Sequence, residues 1–224
     1  MKKIRIKCKS YLVNMLFFLC SCALVYFSYD IVDRNLCTLD YYFDSSRKYY
    51  IQKNIVKAVY LSLLSSISTT YFIFYPWDNR MLQILAACYC SNDIVGLYRC
   101  DNLPISTRVH HITSACFLLF TYTIDFTVSK VGQLLVYYTY FSALAWPVNL
   151  YLGLRLCFEI HPIWLEELRW YCKWWYAVTC SLNWITQMYL ISSLNIETGI
   201  YTSMIVLIIL DDIILLKWLF KNSI

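Results

Sequence analysis

The chain has 224 residues, of which 60% are hydrophobic and 15% charged, with a formal net charge of +5. Soluble domains average about 45–50% apolar and about 25% charged residues, so the composition excludes an ordinary water-soluble enzyme and predicts an integral membrane protein. No basic patch lies on a soluble element, which excludes nucleic-acid binding as the meaning of the positive charge.

A membrane-crossing helix needs about 20 mostly apolar residues. Seven segments meet that standard in chain order: Tyr11–Tyr29, Asn54–Tyr75, Met81–Tyr98, His110–Ile124, Val131–Phe158, Trp170–Leu194 and Ile200–Leu219. The basic run Lys2, Lys3, Arg5, Lys7, Lys9 precedes the first of them. No small-residue cleavage site follows it, which predicts a retained signal-anchor touching anionic headgroups. Cys8 beside this run is a candidate for palmitoylation. The fourth span is short. The fifth is long, and Pro147 predicts a kink within it. Trp164, Trp170, Trp174 and Trp175 around the start of the sixth read as an interfacial aromatic belt. His161, beside Pro162 in a loop with Glu159, Glu166 and Glu167, reads as a surface residue. The fold class expected is therefore all-α, a polytopic membrane protein of about seven transmembrane helices in one domain. The loops between spans are too short to hold a soluble catalytic domain, so any chemistry belongs inside the bundle or at its rim. The eleven cysteines are odd in number and mostly lie within spans, and no zinc-type CxxC pair occurs, so no metal site is expected.

Successive spans alternate in direction, so parity assigns depth. The third span ends on the side where the fourth begins at His110-His111. At about 1.5 Å per residue, Asp93 lies about 8 Å below that surface, Asn149 about 13 Å and Asp211 with Asp212 about 10–12 Å. Polar residues of separate helices thus share one half of the bilayer, which predicts a common pocket open to the histidine side. Intramembrane ionisable residues are costly and mark function. The same parity puts twelve basic residues on the histidine side and seven on the other. The positive-inside rule then makes the histidine side cytosolic, although the basic flank of the first span argues for the reverse.

Ser91-Asn92-Asp93-Ile94-Val95, then Arg108-Val109-His110-His111-Ile112-Thr113, then Trp146-Pro147-Val148-Asn149-Leu150 occur in an order and spacing that resembles the TLC-domain family. That family includes ceramide synthases, the translocating-chain-associating membrane proteins and a ceroid-lipofuscinosis neuronal protein. The resemblance implies a barrel-like six-helix bundle in the endoplasmic reticulum membrane over residues 48–224, with residues 1–47 as a basic N-terminus, an added first helix and a loop. Ceramide synthases carry a further His-Asp and a second Asp well after the His pair. Here that stretch reads Val136-Tyr137-Tyr138-Thr139-Tyr140-Phe141. The non-ceramide-synthase branch, to which the chain looks closer, tends to have a Glu shortly before the Pro-x-Asn element, where this chain has Ala143.

The activity implied is acyl transfer from acyl-CoA to a lipid acceptor, with membrane lipids as partners and no other cofactor. His110 or His111 would be the base or acyl acceptor, Asp93 would orient the imidazole, and Asn149 would polarise the acyl carbonyl. Asp211, Asp212 and Arg108 complete the candidate substrate-binding set, and Lys57, entering from the same side, is a candidate partner for the Asp pair. Asp93 itself could instead pair with Arg99. A non-enzymatic lipid-binding or cargo-escort protein of the endoplasmic reticulum is the main alternative. A retinal protein with Lys217 as its Schiff-base lysine is a remote one. A di-iron desaturase needs more histidines than the three present.

Overall fold

The computed structural model describes residues 2–37, 45–191 and 195–221. The side chains of the N-terminal basic run and of Cys8 lie outside the described residues, as does Leu194, the expected end of the sixth span. Among the described residues the secondary structure is entirely helical: α1 (Lys2–Cys37), α2 (Ser45–Phe74), α3 (Asn79–Arg99), α4 (Ile105–Thr123), α5 (Lys130–Leu144), α6 (Trp146–Leu154), α7 (Ile163–Leu190) and α8 (Ile196–Lys221). Three stretches are long and apolar enough to cross a membrane, Leu12–Asn35, Arg47–Phe74 and Ile196–Lys221. The division expected between residues 47 and 48 falls inside the first turn of α2.

The helix ends follow from local chemistry. Asp78 caps α3 by accepting from the Met81 amide at 2.9 Å, and the Ser129 hydroxyl accepts from the Gly132 amide at the start of α5. Asn195 and Thr198 cap α8 reciprocally, each side chain accepting from the other's amide at 2.8 Å. The expected kink in the fifth span is a break. Pro147 has no N–H to give and its ring collides with the carbonyl four residues back, so the helix stops at Leu144 and resumes at Trp146. The Leu144 carbonyl freed at the break accepts from the indole Nε1 of Trp175 at 2.7 Å. The sixth segment begins earlier than expected: α7 starts at Ile163, so Glu166 and Glu167 lie on the helix rather than in the loop, and Glu166 in its first turn pairs with Arg169 at 3.0 Å. His161 is exposed in the preceding loop.

Contacts between helices fix their directions. Asn14 donates to Gln83 at 2.7 Å, Ser21 Oγ meets Ser91 Oγ at 2.7 Å, and Arg99 reaches Asp30 at 2.7 Å. Both members of these pairs advance together along the chain, so α1 and α3 run parallel. Lys57–Asp93 and Tyr60–Cys88 make α2 antiparallel to α3. His111–Asp93 and Cys90–Ser114 make α4 antiparallel to α3. Tyr176–Asp212 and Gln187–Tyr201 do the same for α7 and α8. With α5 and α6 counted as one broken rod, the described helices form seven rods that alternate in direction. Large apolar side chains point outward, among them Leu16, Leu24, Phe27, Leu63, Ile67, Leu207 and Leu210, while Asn14, Gln52, Asn54, Asn92, Asp93 and His111 are buried. Apolar side chains facing outward and polar ones buried suit a hydrocarbon solvent.

At Gly153, α6 packs tightly on α2. A Cβ there would lie 2.9 Å from Ile55 Cγ1 and 3.4 Å from the Ile51 carbonyl, whereas a Cβ at Gly199 would meet nothing within 4 Å. Gly153→Ala is therefore expected to destabilise the protein by about 1–3 kcal/mol, and Gly199→Ala to cost nothing. Thermal midpoints of both variants in detergent micelles test this, and equal midpoints would contradict the packing described.

Candidate functional site

Three polar side chains from three helices meet in the interior. On α3, Asp93 is 1% exposed, and its Oδ1 accepts from Lys57 Nζ of α2 at 2.6 Å. His111 of α4 is equally buried. Its Nδ1 lies 3.1 Å from the main-chain carbonyl of Asp93, and its Nε2 lies 3.6 Å from the carboxylate Oδ1. A carbonyl oxygen only accepts, so Nδ1 carries the proton and the neutral ring has its lone pair on Nε2. Gly96, one turn beyond Asp93, makes room for this ring: a Cβ at Gly96 would stand 3.3 Å from His111 Cε1. Ser91, two residues before Asp93, meets Ser21 and Tyr60, and Ser21 also bonds Tyr60. The first helix thus braces the helix that carries the acid.

The two adjacent histidines serve different helices. They sit about 100° apart on α4, and since α4 starts at Ile105 the helix does not begin between them. His111 turns to α3. His110 turns to α8, where its Nδ1 stands 3.1 Å from Asp211 Oδ2, off the line of a hydrogen bond. Its Nε2 is buried and has no hydrogen-bond partner. Asp212, next to Asp211, is also buried and accepts from the Tyr176 hydroxyl at 2.7 Å.

A cavity of about 300 Å³ runs beside these groups, at the small end of the range for ligand pockets. Its walls include His110, His111, Asn149, Asp211 and Asp212. Asp93 lies behind that wall, screened by Lys57 and His111. Asn149 turns its amide nitrogen back toward the Ala145 carbonyl at 3.4 Å, a long bond that leaves it available to a better acceptor. Arg108 is not part of the wall: it is exposed, and its guanidinium donates to the Asp101 carbonyl at 2.7 Å. Lys217, which a retinal site would require, is exposed and also outside the cavity. Lys57 pairs with Asp93 rather than with the Asp pair of α8, and Arg99 pairs with Asp30 rather than with Asp93.

Lys53, Arg155 and Tyr176 also line the cavity, and none of the three belongs to the motifs that carry the resemblance. A usable signal was present: Lys53 and Lys57 are four apart, so they share a face of α2, and two like charges on the interior face of an apolar helix require anions opposite. The stretch 136–141 contributes no acid. It supplies Tyr138, fully buried and bonded to Tyr89 and Ser114. No family model, no curated protein and no solved structure matches the chain.

Removing one member of a buried ion pair leaves the other charge stranded. Lys57→Met is expected to cost about 3–5 kcal/mol, and adding Asp93→Leu to it should recover most of the loss. Chemical unfolding of the single and double variants in micelles measures both, and a double variant no more stable than the single would show that the pair does not carry this role.

Proposed function

We propose that the chain is a seven-span protein of the endoplasmic reticulum membrane with a TLC-like bundle over its last six spans, and that it transfers an acyl group from acyl-CoA to a lipid acceptor. The observation that carries this reading is the cavity itself. It gathers His110, His111, Asn149, Asp211 and Asp212 from three separate rods into one buried space. Seven alternating rods and an apolar exterior support the multi-pass topology. The excess of basic residues on the histidine side supports a cytosolic mouth, where acyl-CoA would arrive.

The geometry favours His110 as the base. Asp211 at Nδ1 would hold the ring in the tautomer that leaves Nε2 without a proton, the arrangement that makes an imidazole a proton acceptor. In the proposed step the acceptor amine or hydroxyl loses its proton to Nε2 and attacks the thioester carbonyl. The new C–N or C–O bond forms as the C–S bond breaks, and the departing thiolate takes the proton from the imidazolium. Asn149 would donate to the carbonyl oxygen as negative charge develops there. His111, held by Asp93, would set the position of the α4 turn bearing His110.

One observation favours the non-enzymatic alternative, a lipid-binding or escort protein. His111 and Asp93 are each 1% exposed, and they link helices in a way that a passive container needs as much as a catalyst does.

The test is lipid profiling after expression in a host lacking its own ceramide synthases. His110→Ala and Asp211→Asn should each lower acyl incorporation by about a hundredfold or more in protein that still elutes as the native species. Unchanged profiles with folded His110→Ala would sink the enzyme reading and leave the lipid-binding one.

A further inference from the structure

Two cations of the cavity have no carboxylate within ion-pair distance among the described residues. Lys57 is neutralised by Asp93, Asp211 faces His110, and Asp212 is bonded to Tyr176. Lys53 and Arg155 remain. Lys53 is 4% exposed, lines the cavity, and has no carboxylate within ion-pair distance among the described residues. The contact its ammonium makes is with the ring of Tyr50, 5.4 Å to the centroid. Arg155, at the C-terminal end of α6, also lines the cavity and stacks its guanidinium 4.4 Å over Trp218. Its Nε is buried and has no hydrogen-bond partner. Both residues belong to the same end of the bundle. Lys53 lies in the third turn of α2, and the tight crossing at Gly153 brings the end of α6 against residues 51–55 of that helix.

A buried ammonium without an anion is costly, as is a buried guanidinium N–H without an acceptor. Such groups are retained where a ligand completes them. We propose that Lys53 and Arg155 form a subsite for the phosphate ester of an acyl-chain-bearing ligand. The inference rests on the reading of the cavity as a lipid site and adds the chemistry of the ligand's charged end. Two unpaired cations match a phosphate monoester, which carries about −1.5 to −2 at neutral pH, whereas a fatty-acid carboxylate would neutralise one of them. The planar fork of Arg155 suits two phosphate oxygens, and Lys53 supplies a point charge. The wall also holds Val148, Leu152, Ile214 and Leu215, so a chain attached to the phosphate finds apolar surface beside it.

The experiment is retention of tritiated ligands by the full-length protein in detergent micelles. Lysophosphatidic acid, palmitoyl-CoA and monoacylglycerol are compared. Retention of either phosphate-bearing ligand well above monoacylglycerol supports the subsite. Preference for lysophosphatidic acid assigns the phosphate to a lipid headgroup, and preference for palmitoyl-CoA assigns it to the coenzyme. Lys53→Gln and Arg155→Gln should each weaken retention of the preferred ligand roughly tenfold or more, and Lys53→Arg should preserve it. If Arg155→Gln loses its native elution profile, the Lys53 pair of variants decides. Monoacylglycerol retained as tightly as the phosphate ligands, or Lys53→Gln retaining the preferred ligand as well as the native protein, overturns the subsite. Loss of acyl transfer with phosphate-dependent binding intact would instead fault the catalytic reading alone.

Discussion

The ion pair between Lys57 and Asp93 sets the terms for the rest of the interior. A carboxylate and an ammonium 2.6 Å apart in a buried interior survive only if neither is stranded, because an isolated buried charge costs on the order of several kcal/mol. That requirement fixes the rotation of α2 and of α3 about their own axes, not merely their proximity. Once Asp93 faces inward, Gly96 on the next turn faces inward too, and the space it leaves receives the imidazole of His111. The second contact of that ring, with the main-chain carbonyl of Asp93, locks α4 in register against α3. Three helices are positioned by one acid.

The adjacent histidine inherits its direction from this lock. With His111 held toward α3, the 100° step along the helix carries His110 toward α8, and there it finds Asp211. A pair of neighbouring residues thus divides into one whose Nδ1 is tied to the Asp93 main chain, with its ring packed against that carboxylate, and one whose Nε2 has no partner. The distinction matters for chemistry. A ring used as a tie has little freedom to accept a proton from a ligand, and a ring with an open nitrogen at the edge of a cavity has that freedom. The proposed assignment of His110 as base, with Asp211 rather than Asp93 behind it, follows from that asymmetry.

How much of this was legible in the sequence depends on whether depth or azimuth was needed. Apolar length located all the rods, and parity placed Asp93, His110, Asn149 and Asp211 at similar depth. Pro147 announced the interruption of the fifth rod through its missing N–H. The indole of Trp175 that satisfies the freed carbonyl was not readable, because it comes from another helix whose rotation the sequence does not state. The same gap misdirected the ion pairs: Arg99 is close to Asp93 in sequence but points to Asp30, and Lys57 shares a level with the Asp pair of α8 but points to Asp93. Arg108 sits beside the histidines along the chain, yet the helix turns it outward. Ridge-by-ridge packing decides such angles, and a single chain of letters carries little of it.

The role of α1 follows from the same reasoning. The resemblance treats that helix as an addition to a six-helix bundle, but polar contacts run from it along the whole of α3, from Asn14–Gln83 through Ser21–Ser91 to Asp30–Arg99. Interhelical hydrogen bonds in membranes average only about 0.6 kcal/mol each, so none of these alone anchors the helix. Their spacing is the stronger argument. Three contacts at successive levels fix the register as well as the contact, and Ser91 and Arg99 flank Asp93 on its own helix. Tyr29 completes the wall, fully buried, with its hydroxyl 3.8 Å from where a Cβ would stand at Gly96. The first helix therefore backs the site: it covers the rear of Asp93 and so keeps it in the buried surroundings in which one lysine suffices to orient the acid and, through it, both histidines.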